Sequence, residues 1–398
     1  MELVAQDIKP LRYRWVILTL CAACFLFTFI TRFTWPPLIP VVVPSLGMKM
    51  SQAGAFMSAF YIGYIITQIP AGILADRFGV RIILAGSLIL EGLSTTSLGF
   101  ISTYETGVYL RIMSGLGAGA VYASCSRALM EWFPAYERGR AFGILLAAPS
   151  GGILVTNLIV PPLNDFIGWK GAFHTVGFLT IMAGILVFLF MRSQCEQSGN
   201  DKSLLTGFKV IFSNKYLIMT ALAGFCLMWL ELGMATWANM YIKRLGYTVS
   251  TAGSVMVSYG LGGVIAPLIS GIVSDITRQR KWIIIISYVL VIPLTLLFGS
   301  QKDLSVLLLM GFLLGFSSYI ANPQLTVMIS QFAGKNWAAT ANGVSNFLFQ
   351  IASLISPWLI GLVLDVTGNF SWVWLIMAAG PLMGVLFMLP VRQEKSAL

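Results

Sequence analysis

The chain is predicted to be an all-α membrane protein, with twelve transmembrane helices in two pseudo-symmetric halves of six. Three observations predict this. Hydrophobic residues make up 57% of the 398 and charged residues only 10%, with a mean hydropathy of +0.84; soluble chains carry about 25% charged residues. Apolar runs long enough to cross a bilayer, about 20 residues each, recur along the whole chain. The pattern also repeats. Gly72, Asp76 and Arg81 return 199 residues later as Gly271, Asp275 and Arg280, in register with Ser51, Ala53, Gly54 and Gly63 against Ser250, Ala252, Gly253 and Gly262. At an offset of 200, Ala141, Gly143, Asp165 and Gly168 match Ala341, Gly343, Asp365 and Gly368. One such match means little where Gly and Ala abound; a shared register means an internal duplication.

In chain order the apolar runs cover residues 15–42, 51–73, 82–101, 107–130, 140–163, 171–191, 214–242, 250–273, 282–299, 305–330, 339–364 and 372–390. The first and seventh are long, so each is expected to bend or fray, near Pro36–Pro37 and near Gly233. The one long polar segment, 192–213, joins the sixth run to the seventh, where the repeats meet. It is expected to be a cytoplasmic linker with an amphipathic surface helix near 204–212. This makes 1–191 the N-terminal half and 214–398 the C-terminal half. Residues 1–14 are polar and the first run is too long for a signal-peptide core, so no cleavable leader is expected.

The net charge of +10 would suit a nucleic-acid binder, but its distribution excludes that. With the N-terminus inside, seventeen Lys and Arg fall on the cytoplasmic side and five outside. The excess places both termini in the cytoplasm. The five cysteines are scattered, without the His or acid partners of a metal site and without a disulfide framework. No phosphate-binding Walker loop is present, so ATP is not the expected energy source, and no catalytic constellation or cofactor site is visible.

Five ionisable residues remain inside apolar runs: Arg32, Glu91, Arg111, Arg127 and Glu231. Each costs about 2.5–3.5 kcal/mol at the bilayer centre and so needs a reason to be there. Arg32 either snorkels to the outer headgroups or faces a cavity. Arg111 opens a glycine-rich helix as R-x-x-x-G-x-G-x-G, and is either structural or part of a charged site. Arg127 is placed to pair with Glu131, and Glu91 to form a buried structural contact or stay neutral. Glu231 aligns with Arg32 at the 199-residue offset. The two are therefore expected at similar depth on opposing helices, with a carboxylate substrate competing with Glu231 for Arg32. Protonation of Glu231 would remove that competition, or the pair is a permanent structural one.

Residues 72–81 read GILADRFGVR between the second and third runs. G-x-x-x-D-R-x-G-x-R at that place resembles the signature loop of the major facilitator superfamily, and Arg111 with its glycines resembles a second one. Further stretches are similar to the anion:cation symporter family of organic-anion and sugar-acid carriers. These are Tyr64 to Gly72 (Y-x-x-x-Q-I-P-A-G), Trp132 to Ala141 (W-F-P-A-Y-E-R-G-R-A), Gly168 to Phe173 (G-W-K-G-A-F), and Gly343, Asn346, Pro357 and Gly361. The resemblance implies a site between the halves, near the midplane, lined by helices one, four, seven and ten. It implies Arg32 as the carboxylate anchor, Arg111 in the same charged network and Tyr64 beside them. Tyr61, Trp35, Asn346 and Gln350 complete the expected substrate site, with Glu231 as the proton-coupling carboxyl. Gly72, Asp76, Arg77, Gly79 and Arg81 are expected to form a conformational latch. The family often has an acid just before the first-helix Arg, where this chain has Thr31, and another seven residues after the fourth-helix Arg, where it has Ala118.

The expectation is therefore a monomeric secondary transporter in a prokaryotic inner membrane. It would move a small organic anion by alternating access, with H+ as coupling ion, lipid around it and no nucleic acid. Two rivals stand. A drug–proton exporter of the same fold often shows G-P-x-x-G-G in its fifth helix; Ala148 to Gly152 reads A-P-S-G-G, one residue short. A membrane substrate sensor would need more loop surface than this chain offers.

Overall fold

Turns of positive φ come in repeat-related pairs. Gly47 and Gly246 (61° and 98°) lie 199 residues apart, and Gly168 and Gly368 (71° and 63°) lie 200 apart. Gly79, at 79°, is matched 199 residues later by Arg278, at 54°, the one non-glycine of positive φ among the described residues. Glycine enters that region without steric cost. The second half keeps the positive φ at this place but not the full turn, since ψ is 149° at Gly79 and 24° at Arg278.

The computed structural model describes residues 13–68, 70–134, 136–192, 212–334 and 337–392, without the side chains of Gly72, Ile73, Asp76 and Ala339. Most of the expected linker, with its surface helix, lies outside them. The first half contains α1 (Tyr13–Phe33), α2 (Trp35–Ser45), α3 (Met50–Gln68), α4 (Ala71–Phe78), α5 (Val80–Leu98), α6 (Tyr104–Ala118), α7 (Val121–Trp132), α8 (Arg138–Leu146) and α9 (Ala148–Phe190). The second contains α10 (Lys215–Arg244), α11 (Val249–Thr277), α12 (Arg280–Ser300), α13 (Leu304–Tyr319), α14 (Asn322–Ala333), α15 (Ala338–Thr367) and α16 (Phe370–Met388). No strand occurs among the described residues.

Nine helical stretches there are long and apolar enough to cross a membrane. One of them, Arg138–Phe190, has 53 residues and changes direction at Gly168, so it accommodates two crossings. With α3–α4 and α6–α7 in series, the set accommodates the twelve expected runs.

The breaks inside crossings have local causes. Pro36 and Pro37 have no N–H, so the carbonyls of Arg32 and Phe33 lose their helical donors and α1 gives way to α2 at Thr34. Gly119 and Ala120 separate α6 from α7, and Ile320 and Ala321 separate α13 from α14, which carries Pro323 in its first turn. In contrast α10 runs as one helix through Gly233, so no break falls where the sequence suggested a bend or fraying.

The halves meet mainly through α3 against α15 and α9 against α11. These contacts need glycine: a Cβ on Gly54 would lie 2.0 Å from the Pro357 carbonyl oxygen, and one on Gly361 would lie 2.3 Å from that of Met50. Both lie at the end of the molecule remote from the chain termini. There Asn239 also donates to Asn157 Oδ1 across the boundary, at 3.0 Å. Towards the termini, α4, α7 and α8 pack within the first half and α14 within the second. The buried apolar core follows this division. It runs continuously across both halves at the distal end, whereas Ala223, Leu227, Ile284 and Leu325 belong to a separate cluster within the second half.

The 72–81 stretch forms α4, the Gly79 turn and the start of α5. Arg81 donates to the Phe188 carbonyl and lies 4.6 Å over its ring, fastening the turn to the end of α9. Arg77 is exposed. The surroundings of the Gly72 and Asp76 side chains lie outside what is described.

Candidate functional site

The α1–α2 break builds the site. Arg111 replaces the donor that Pro36 cannot give to the Arg32 carbonyl, and two threonine hydroxyls bond α1 carbonyls beside it. Arg111 reaches over from α6 and donates to the Arg32 carbonyl through Nη2 at 3.1 Å, to the Thr31 carbonyl through Nη1 at 3.4 Å and to the Phe56 carbonyl of α3 through Nε at 3.3 Å. Thr34 donates to Ile30 O at 2.7 Å, and Thr31 to Thr28 O at 2.9 Å. Arg111 is fully buried. It therefore braces the backbone that presents Arg32, and its donors face carbonyls behind the site. Trp35, also expected in the site, sits in the same wall: its Nε1 donates to Ala53 O at 3.0 Å and its ring packs on Phe56. The Arg111 contact follows from Pro36, which leaves the Arg32 carbonyl without its helical donor and so creates a demand for a buried one.

Arg32 has no such duty. It is 4% exposed, and its guanidinium lies 4.4 Å from the Phe29 ring centre, 4.9 Å from Phe60, 5.3 Å from Tyr61 and 4.9 Å from Tyr64. The rings favour the cation, and the Tyr61 hydroxyl also hydrogen-bonds it. Nε and Nη2 are buried and unpartnered. These two nitrogens share one edge of the guanidinium, and their parallel N–H bonds match the two oxygens of a carboxylate. No acid forms a salt bridge with Arg32 among the described residues.

The second half contributes polar groups opposite this cage. Ser353 of α15 faces Tyr61. On the same helix Gln350 donates to Asn346 Oδ1 at 3.2 Å, so that expected pair is satisfied internally. Glu231 of α10 is 5% exposed and accepts from Asn322 Nδ2 at 2.9 Å. The ion pair expected between Arg32 and Glu231 is not formed. Asn322 occupies Glu231 because the break before Pro323 brings the start of α14 against α10. Arg127 pairs with Glu131 at 3.0 Å, as its i,i+4 spacing implies.

Sequence reasoning missed two features. Phe29 and Phe60 complete the cage, which helical spacing from Arg32 and from Tyr64 would have revealed. Glu91 of α5, fully buried, accepts from the Thr28 and Thr31 hydroxyls of α1 at 2.9 and 2.8 Å. No spacing rule links α5 to α1, so that contact had no signal in the chain.

Comparison with known proteins agrees with the fold. A bacterial homologue of the human lysosomal transporter Spinster, in an inward-facing and unoccupied crystal structure, superposes with a TM-score of 0.78 over 96% of both chains at 14% identity. The hexuronate transporter of Bacillus subtilis is 24% identical over 85% of each chain. A protein named as a probable sulfoacetate transporter, from Cupriavidus necator, is 24% identical over 95% of this chain and 93% of its own. The Major Facilitator Superfamily profile matches residues 20–357. The chain thus belongs to the Major Facilitator Superfamily, a family of membrane transporters.

Proposed function

We propose that this protein is a secondary active transporter of the anion:cation symporter type, carrying a small organic carboxylate across a prokaryotic inner membrane. One observation carries the reading: the buried side edge of Arg32, two parallel N–H donors without an acceptor inside an aromatic cage. A buried cation with unmet donors is costly, and a carboxylate supplies the charge and both acceptors. The names of the relatives support an organic anion. A drug–proton exporter would be served by an acid in that place.

Alternating access is part of the proposal. The positive-inside distribution puts the termini in the cytoplasm, which makes the distal contacts the outer gate and this conformation open to the inside. The 72–81 loop then acts as the inner latch of the opposite state, where Asp76 meets a cation or a helix N-terminus. H+ is the proposed coupling ion. Two buried carboxyls stand in reach of the pathway, Glu231 in the second half and Glu91 in the first.

Proteoliposomes given labelled glucuronate, sulfoacetate and other monocarboxylates test the reading. Wild type should take up at least one, Arg32→Ala none, and Arg32→Lys should recover part, because the fork is lost but the charge is kept. Full uptake by correctly inserted Arg32→Ala would remove Arg32 as anchor.

A further inference from the structure

Glu91 has a peculiar position. It lies in α5, the third crossing and not one of the four expected to line the site, yet it is fully buried against α1. Its partners are two hydroxyls, Thr28 Oγ1 on Oε1 and Thr31 Oγ1 on Oε2. Thr31 Oγ1 also lies 2.9 Å from the Thr28 carbonyl, which can only accept. One hydroxyl hydrogen therefore faces two acceptors. A proton on Glu91 Oε2 resolves the conflict: Glu91 donates to Thr31, and Thr31 donates on to Thr28 O. The arrangement holds a place for one extra hydrogen.

Other neighbours do not change this. From α1, Arg32 acts on Glu91 at longer range than a salt bridge. From α6 comes Gly117, where a Cβ would lie 2.9 Å from Glu91 Cγ, so the missing side chain gives Glu91 its room. From α9 come Gly177 and Ile181, packed on the adjoining Gly92. Along α7 the ionisable groups are Tyr122, Cys125 and the mutually paired Arg127 and Glu131. Arg32 is thus the cation whose charge Glu91 can sense. Glu231, in the other half, is engaged by Asn322.

We propose that Glu91 is the proton-coupling carboxyl, connected through the Thr31 hydroxyl to the backbone that carries Arg32. This rests on Arg32 being the anion anchor. When Glu91 is protonated, Arg32 has no competing negative charge nearby and takes the anion. When the anion leaves, the bare guanidinium favours the ionised carboxyl, and the proton departs by the same opening. Binding of each ligand promotes the other, by reciprocity, so proton and anion travel together. The acid that the family often places before the first-helix Arg or after the fourth-helix Arg is here supplied by the third helix, which enters the space left by Thr31 and Gly117.

Two measurements on purified protein test this. Infrared spectra need no substrate. Wild type near neutral pH should show the C=O stretch of a protonated carboxyl in an apolar setting, absent from Glu91→Gln and shifted in Thr31→Val, which keeps shape but removes the hydroxyl. A band lost from Glu231→Gln but kept in Glu91→Gln would overturn the proposal. The second measurement is glucuronate or sulfoacetate binding against pH, using whichever the wild type binds. Wild-type affinity should fall as pH rises, up to tenfold per unit for one linked proton. Glu91→Gln should bind with a flat profile, and Glu231→Gln should keep the slope. A retained slope in Glu91→Gln would likewise overturn it. Failure of every anion to bind wild type would defeat the anion reading alone, since the infrared band stands independently.

Discussion

The Asp365 carboxylate accepts from the backbone N–H groups of Met50 and Ser51, each at 2.8 Å, across the boundary between the halves. Asp365 is near the end of α15 and Ser51 is in the first turn of α3, so the carboxylate caps a helix that belongs to the other half. The contact has a counterpart. Asp165, its match at an offset of 200, accepts from the Ser250 hydroxyl at 2.6 Å, and Ser250 is the match of Ser51 at 199. Capping a helix N-terminus with a carboxylate contributes about 1 kcal/mol. Asp365→Asn should therefore shift the balance between conformations roughly fivefold away from distal closure. Spin labels at Lys49 and Ser371, read as a distance distribution, should report a larger open fraction. Asp165→Asn should shift it less, because one hydroxyl is lost rather than two helix-end donors. No change in either variant would mean that the glycine contacts alone hold the gate.

Gly54 and Gly361 test that second possibility. Gly54→Ala places a methyl 2.0 Å from the Pro357 carbonyl oxygen, which is backbone and cannot swing aside. The halves should separate at the distal end, with the same label pair moving apart by more than in Asp365→Asn. Unchanged distances would mean that the α3–α15 contact can slide.

Arg111 should behave as a structural residue. Truncating it leaves the Arg32 and Thr31 carbonyls without replacement donors, at about 1–3 kcal/mol for each buried group. Arg111→Leu should lower the melting temperature in detergent and reduce insertion. Arg111→Lys should recover part of the stability but lose the forked geometry. An Arg111→Leu protein that melts like wild type and fails only in anion binding would return Arg111 to the substrate site.

The inner loop makes a kinetic prediction. Asp76 lies on α4, beyond the end of the helix that carries Tyr64, so Asp76→Asn should slow net transport and leave equilibrium binding nearly unchanged. Gly79→Ala should act on stability instead, by about 1 kcal/mol, because alanine at φ 79° meets the steric cost that glycine escapes. Loss of anion affinity in Asp76→Asn with intact folding would count against a latch.

The repeat was the most legible feature, since it rests on glycines and aspartates whose roles are backbone geometry and helix capping. Asp165 and Asp365 were visible as markers of register, but not as contacts between halves, because pairing across the boundary depends on which state the molecule occupies. Arg32 was legible as a cation inside an apolar run, with snorkelling to the outer headgroups as the alternative to a cavity. The difference between Arg32 and Arg111 was not, although one clue was present: Pro36 strips the Arg32 carbonyl of its donor, and a buried guanidinium nearby can answer it. Glu231 illustrates the opposite limit. Its register with Arg32 holds in the chain, but the α13–α14 break supplies Asn322 as a nearer partner, and matched positions in a duplication need not touch.

The Arg32 guanidinium is ringed by side chains of its own half: Phe29 from α1 and Phe60, Tyr61 and Tyr64 from α3. The anchor and the opposite wall thus belong to separate bodies. An ion held by Arg32 would ride with the first half as the gates exchange, while α10, α14 and α15 meet only the far side of the cargo. Recognition of charge is then uncoupled from recognition of the rest of the molecule. Substitutions at Asn322, Asn346, Gln350 or Ser353 can retune which acid is carried without rebuilding the part that knows it is an acid.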